Sequence, residues 1–204
     1  LSSKDDRPWK RDSIQYLKKA VLVLGLVAFF VLTLYQIHLP GLHYDEAREA
    51  GLPALQILRG LPVDAFRGAG IWFGEQLIPL MVVDYIGVTN VVLALPFLAI
   101  GGVDVAALRL LPVVLSALTL LLIYWLAQEL YNSRVALITF LLLAVNPSFI
   151  FWSRQGIFVT STIIPISIGA VLCLVKWYRR ECRPCLWLGM FLLGLGLYTK
   201  LIFL

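Results

Sequence analysis

Asp45 and Glu46, in the run His43-Tyr44-Asp45-Glu46-Ala47-Arg48-Glu49, come a few residues after an apolar stretch long enough to cross a membrane. Two adjacent carboxylates at a bilayer edge carry a large desolvation cost, so their placement argues for a functional site at the water–lipid boundary. A carboxylate held there by a rigid helix can take the proton of an acceptor hydroxyl, or hold a divalent cation against a phosphate leaving group. The two side chains are ~100° apart on a helix, so one of them faces such a site. The plain alternative is a helix start whose acidic first turn complements the helix dipole, with Asp45, Arg48 and Glu49 as neighbours one turn apart.

The other candidates are three cations, one carboxylate and one histidine. Arg154 falls in a short turn between two apolar segments, where a guanidinium either grips a phosphate bidentately or snorkels to mark the span end. Lys200 lies far along the last apolar segment with no acidic residue near it. An ammonium at that depth costs ~2.5–3.5 kcal/mol unless paired or hydrated, which suggests a phosphate or Asp45 as its partner. Arg109, near the start of an apolar segment, reads as a phosphate ligand or as an interfacial anchor. Glu75 is either a second metal ligand with Asp45 or a solvated loop residue. His43, two residues before Asp45, would bind a transition metal with it or make only a polar contact.

These groups must be positioned by membrane helices. Of 204 residues, 60% are hydrophobic and 14% charged, and the apolar ones fall in long runs, which defines an integral membrane protein. The net charge of +5 comes from basic residues at the ends of those runs, so it argues for membrane topology and against nucleic acid. The first apolar run, from about residue 20 to 39, is too long for a signal core and lacks a small-residue cleavage site. Three cysteines make no disulfide framework, and the lone pair Cys182-Arg183-Pro184-Cys185 has no second pair or nearby His to complete a zinc or redox site. Trp72, Phe73, Trp152, Trp177 and Tyr178 read as interfacial belt residues, and no internal repeat is visible. The chain starts at Leu1 and stops inside the apolar run Leu201-Ile202-Phe203-Leu204, so it reads as part of a longer protein.

Hydropathy predicts an all-α polytopic bundle with about five spans, near residues 20–39, 108–129, 135–151, 157–176 and 186–204. Residues 1–19 form a cytoplasmic tail, and residues 20–204 belong to one transmembrane domain with a long first outer loop at 40–107. Residues 77–100 are apolar too, but Pro79, Asp84, Gly87, Asn90 and Pro96 interrupt them. If that segment does not span, eleven basic residues (Lys4, Arg7, Lys10, Arg11, Lys18, Lys19, Arg134, Lys176, Arg179, Arg180, Arg183) share the cytoplasmic side against five outside (Arg48, Arg59, Arg67, Arg109, Arg154). If it does span, the tally is eight against eight. The positive-inside rule therefore favours a re-entrant or interfacial pair of short helices at 77–100, with Asp45 outside. Residues 44–59 have apolar positions at Ala47, Ala50, Ala54, Ile57 and Leu58, as in an amphipathic helix in the interface plane, with a kink or new turn at Pro53.

The order of short motifs resembles the GT-C glycosyltransferases, in the branch of the protein O-mannosyltransferases and the lipid A aminoarabinose transferases. Asp45-Glu46-Ala47 follows the first span, Arg109-Leu-Leu-Pro112 opens the second, Ser153-Arg154 follows the third, and Gly196-Leu-Tyr-Thr-Lys200 lies in the fifth. The resemblance runs from Ala20 to Leu204. It implies a membrane glycosyltransferase that moves a sugar from a polyprenyl phosphate to an acceptor on the outer face, in a bacterial cytoplasmic membrane. It implies Asp45 as base or ligand of a divalent ion such as Mg or Mn, Glu46 in support, and Arg154, Lys200 and Arg109 at the donor phosphate. Two departures stand out. The family's Glu-Lys-Pro-Pro-like stretch reads Glu75-Gln76-Leu77-Ile78-Pro79, and no Asp follows Arg154 in the second outer loop. They motivate an alternative, a non-catalytic relative serving as a subunit of a larger membrane complex.

Overall fold

The computed structural model describes residues 8–39, 41–155 and 158–201, with the side chains of residues 8–14, 158 and 159 outside that description. Residues 1–7 of the expected tail, the tip of the second outer loop and the last three residues therefore lie outside the described residues, and from Pro8 the expected tail is instead the first part of a helix. The chain is helical: α1 Pro8–Leu34, α2 Tyr44–Glu46, α3 Leu52–Leu58, α4 Thr89–Gly101, α5 Val105–Leu130, α6 Ser133–Ala144, α7 Pro147–Arg154, α8 Phe158–Arg180 and α9 Arg183–Thr199. A π turn, Ala47–Gly51, joins α2 to α3.

Among the described residues three helices are long and apolar enough to cross a membrane, Gln15–Leu34, Val105–Leu130 and Thr160–Arg180. The pair α6 and α7, bent by 61°, makes a fourth when the two helices are taken as one span. This is fewer than the five expected, and the local chemistry accounts for the difference. Asn146-Pro147 breaks the third expected span. Pro147 opens α7 where its missing N–H is not needed, and the Asn146 side chain accepts the Phe149 N–H at 2.9 Å, so a new helix starts at the bend. α9 has 17 residues, ~25 Å at ~1.5 Å per residue, short of a ~30 Å hydrocarbon core. It ends at Thr199 because Lys200 becomes extended and forms a β-bridge with Ile86.

Residues 77–100 also differ from expectation. In place of two short helices there are two small hairpins and one helix. Strands β1 Gly70–Phe73 and β2 Gln76–Pro79 pair antiparallel with Ile71 opposite Ile78, and β3 Met81–Val83 pairs with β4 Ile86–Gly87. Only α4, 13 residues long, is helical there. Gly74 at the first turn has φ +63, which glycine adopts without strain.

Two cores hold these parts together. Phe29 of α1 and Phe140 of α6, both fully buried, pack with Val113, Leu120 and Tyr124 of α5, the Tyr124 and Phe140 rings meeting edge to face at 6.4 Å. The second core is built of smaller residues: Ala50 and Ala54 from the loop helices, Val91 and Ala94 from α4, and Ala107 and Leu111 from α5. Small side chains let these backbones approach closely, which drives helix packing in lipid. At the opposite end of α5, Arg180 makes a bidentate pair with Glu129 at 2.7 and 3.0 Å, and Arg179 donates to the Glu129 carbonyl. Cys182 and Cys185 form a disulfide just after Arg180, a bridge that the cysteine count did not lead us to expect.

The long loop docks on the end of α9 at a contact that admits no side chain. A Cβ on Gly87 would overlap the Tyr198 carbonyl. Around it the Tyr198 hydroxyl donates to the Leu80 carbonyl at 2.6 Å, and the Thr199 hydroxyl donates to that of Thr89 at 2.9 Å. Gly87→Ala should therefore destabilise the protein by ~1–3 kcal/mol through overpacking, read as a lower thermal midpoint of the detergent-solubilised protein, whereas Gly74→Ala would act only through its turn.

Candidate functional site

The site begins where α1 ends. Gln36 sits in the left-handed region at φ 51 and turns the chain out of α1 toward Asp45. The exit strand is gripped by two arginines from different helices. Arg154, at the end of α7, donates to the Gln36 carbonyl at 2.6 Å. Arg109, one turn into α5, donates to the carbonyls of Ile37 at 2.7 Å and Gly41 at 3.0 Å.

The short helix α2 then starts on a capping box. The His43 ring nitrogen accepts the Asp45 N–H at 3.3 Å, and the Glu46 carboxylate accepts the His43 N–H at 3.2 Å. Glu46 has a second partner: its carboxylate meets the Arg109 guanidinium at 3.2–3.4 Å, with both side chains at most 1% exposed. A buried charge survives only when paired and hydrogen-bonded, and each of these ions satisfies the other. The two residues expected at the chemistry and at the donor phosphate thus face each other inside the protein.

Asp45 is the opposite case. Its side chain is 37% exposed, and its nearest basic group is the His43 ring at 3.7 Å. The ~100° between adjacent helical residues is what separates an outward Asp45 from an inward Glu46. Glu49, one turn on, is also buried. The π turn between them has a local cause. Pro53 has no N–H for the Glu49 carbonyl, and the backbone widens so that the Leu52 N–H reaches Ala47 instead.

The remaining expected site residues are dispersed. The Arg154 Nε is buried and, among the described residues, has no hydrogen-bond partner, while another guanidinium nitrogen holds Gln36. Lys200 has its Nζ 5.5 Å from the centre of the Tyr85 ring, a cation–π contact, and no ion pair with Asp45 is present among the described residues. Glu75 occupies the exposed turn of the first hairpin. Gln76, which stands where the family resemblance places a Lys, donates to the Ile57 carbonyl at 2.9 Å and ties that hairpin to α3. Among the described residues no three His, Cys, Asp or Glu side chains converge as a metal-ligand group.

Sequence reasoning missed Gln36, Tyr198 and the role of Gly87. No periodicity marks them, because their partners are 110 or more residues away in the chain. Removing one half of the buried pair leaves an uncompensated charge. Arg109→Met should cost ~3–5 kcal/mol, read as loss of thermal stability in detergent, and Glu46→Leu with Arg109→Met should recover part of it.

Residues 88–203 match the family model described as dolichyl-phosphate-mannose-protein mannosyltransferase. No curated protein and no solved structure matches the chain.

Proposed function

The chain belongs to the dolichyl-phosphate-mannose-protein mannosyltransferase family, a group of GT-C membrane glycosyltransferases, and from that premise we propose that it transfers a sugar from a polyprenyl phosphate to an acceptor hydroxyl. The observation that supports this reading best is the opposed orientation of Asp45 and Glu46. One carboxylate is spent on holding the short helix in place, and that leaves its neighbour presented to solvent on a rigid support, as a general base requires.

In this mechanism Asp45 takes the acceptor hydroxyl proton. The acceptor oxygen attacks the anomeric carbon, the bond from that carbon to the phosphate oxygen breaks, and the lipid phosphate leaves with the electron pair. Arg154 neutralises the charge that grows on the phosphate through its guanidinium. Arg109 and Glu46 act through Asp45 by fixing the turn that carries it. Lys200 secures the loop to α9 through its bridge to Ile86 and its cation–π contact with Tyr85. A divalent ion at this site would be held by Asp45 and would supply charge neutralisation at the leaving phosphate. The site faces the extracytoplasmic side, with the N-terminus in the cytoplasm, as the distribution of basic residues suggests. Gln76 favours the second reading, a non-catalytic subunit of a membrane complex, because its amide is committed to the Ile57 carbonyl and carries no charge for a phosphate.

Asp45→Asn in the full-length protein should lower turnover ~10²–10⁴-fold while leaving thermal stability nearly unchanged; wild-type sugar transfer by this variant would sink the assignment. With Asp45 as base, turnover should persist in EDTA. Loss of activity that Mg or Mn restores would reassign Asp45 as a metal ligand.

A further inference from the structure

The far end of α5 carries a different chemistry from the end at Arg109. Arg109 and Glu129 lie ~30 Å apart along this one helix at ~1.5 Å per residue, which is the thickness of a hydrocarbon core. Glu129 and its neighbours therefore stand at the membrane face opposite Asp45. There the turn from α5 into α6 meets the end of α8 around an open notch of about 490 Å³. Lys176 and Arg180 of α8 form one wall, and Gln128, Asn132 and Ser133 form the other, with the half-exposed Trp125 ring. A second notch, of about 420 Å³, shares Asn132 and Ser133 and adds Lys18 of α1 and Arg134 of α6. Two notches with a common wall make one basin over the α5–α6 turn, with two cations on each side.

Little in the protein neutralises these cations. Among the described residues neither Lys18 nor Lys176 makes an ion pair or a hydrogen bond. Glu129, the one carboxylate in the walls, is already committed: its two oxygens accept Nε and Nη2 of Arg180 at 3.0 and 2.7 Å, and its side chain is 9% exposed. That fork fixes Arg180 beside Lys176 and leaves Nη1 as a spare donor. Asn132 spends its side-chain oxygen on the Arg134 and Val135 N–H groups, so its amide nitrogen faces no such demand. Glu181, close by in sequence, lines neither notch. The basin thus offers positive charge and N–H donors, the chemistry that holds phosphate oxygens. Its setting selects a phosphate carried by lipid. It opens at the ends of two membrane-crossing helices, α5 and α8, and exposed rings of Tyr131, Trp177 and Tyr178 stand at the same level, as aromatic side chains do at headgroup depth. Basic pockets between spans are where anionic headgroups lodge.

We propose that this basin binds the headgroup of an anionic phospholipid on the membrane face opposite Asp45, with Lys176 and Arg180 on its phosphate. A lipid with two phosphates joined by glycerol would engage Lys18 and Arg134 as well. The site is separate from sugar transfer and stands whether or not the chain is a transferase. The test titrates cardiolipin, phosphatidylglycerol or phosphatidylcholine into the full-length protein in neutral detergent, with bound lipid read by native mass spectrometry. Wild type should bind cardiolipin most tightly and phosphatidylcholine least. Lys18→Gln with Lys176→Gln should weaken cardiolipin about tenfold, and the thermal midpoint without lipid should stay put, because neither lysine holds another protein group. Lys19→Gln with Arg183→Gln removes the same charge from the same face outside the notches, and should weaken it about twofold at most. Equal losses in the two variants would overturn the proposal in favour of diffuse surface charge, as would unchanged cardiolipin binding by the first. Phosphatidylcholine binding as tightly as cardiolipin would overturn it too. Displacement of cardiolipin by an equal concentration of inorganic phosphate would do the same, by marking a site for a soluble phosphate.

Discussion

Arg109 is a full positive charge with 1% of its side chain exposed, placed where an apolar helix begins. It is tolerated because four acceptors surround it: both oxygens of Glu46 and the carbonyls of Ile37 and Gly41. Against an apolar pair of the same size such an ion pair roughly breaks even in stability. Its value lies in direction. A forked guanidinium satisfied on every side has one arrangement, so α5, the exit of α1 and the short helix α2 are held in one geometry. Asp45 inherits its orientation from that arrangement, as the neighbour of the residue that is pulled in.

The remainder of the site end is assembled by contacts across long stretches of chain. Arg154 brings the end of α7 to Gln36, and the Gly196-Leu-Tyr-Thr-Lys200 segment locks the hairpins onto α9 through Tyr198, Thr199 and the Ile86 bridge. The helical breaks serve this assembly. Pro53 opens the π turn that re-aims the chain after Glu49, and Asn146-Pro147 sets the 61° bend between α6 and α7.

Much of this was legible from residue order. Composition alone defines the membrane class, and the apolar runs place α5 and α8 to within a few residues, whereas α1 starts at Pro8, inside the expected tail, and ends five residues early at Leu34. Of the expected helical face Ala50 and Ala54 are fully buried in the core, but Leu58 is exposed and the carboxylates Glu46 and Glu49, expected on the opposite face, are buried too. The hairpins at 70–87 were not legible, because short strands that alternate weakly and pair only with each other carry little hydrophobic period. The length of α9 was not legible either, since its end is set by Ile86, which lies over a hundred residues earlier.

By itself the sequence determined that the protein is a membrane helical bundle of the GT-C kind, and that a carboxylate pair stands just past the first span. Those properties follow from local composition and motif order, which need no knowledge of what lies opposite. Only the tertiary structure decided which carboxylate is buried and which is presented, and that Arg109 serves Glu46. Adjacent residues on a helix point ~100° apart, and which of the two directions is the interior depends on where a distant arginine comes to rest.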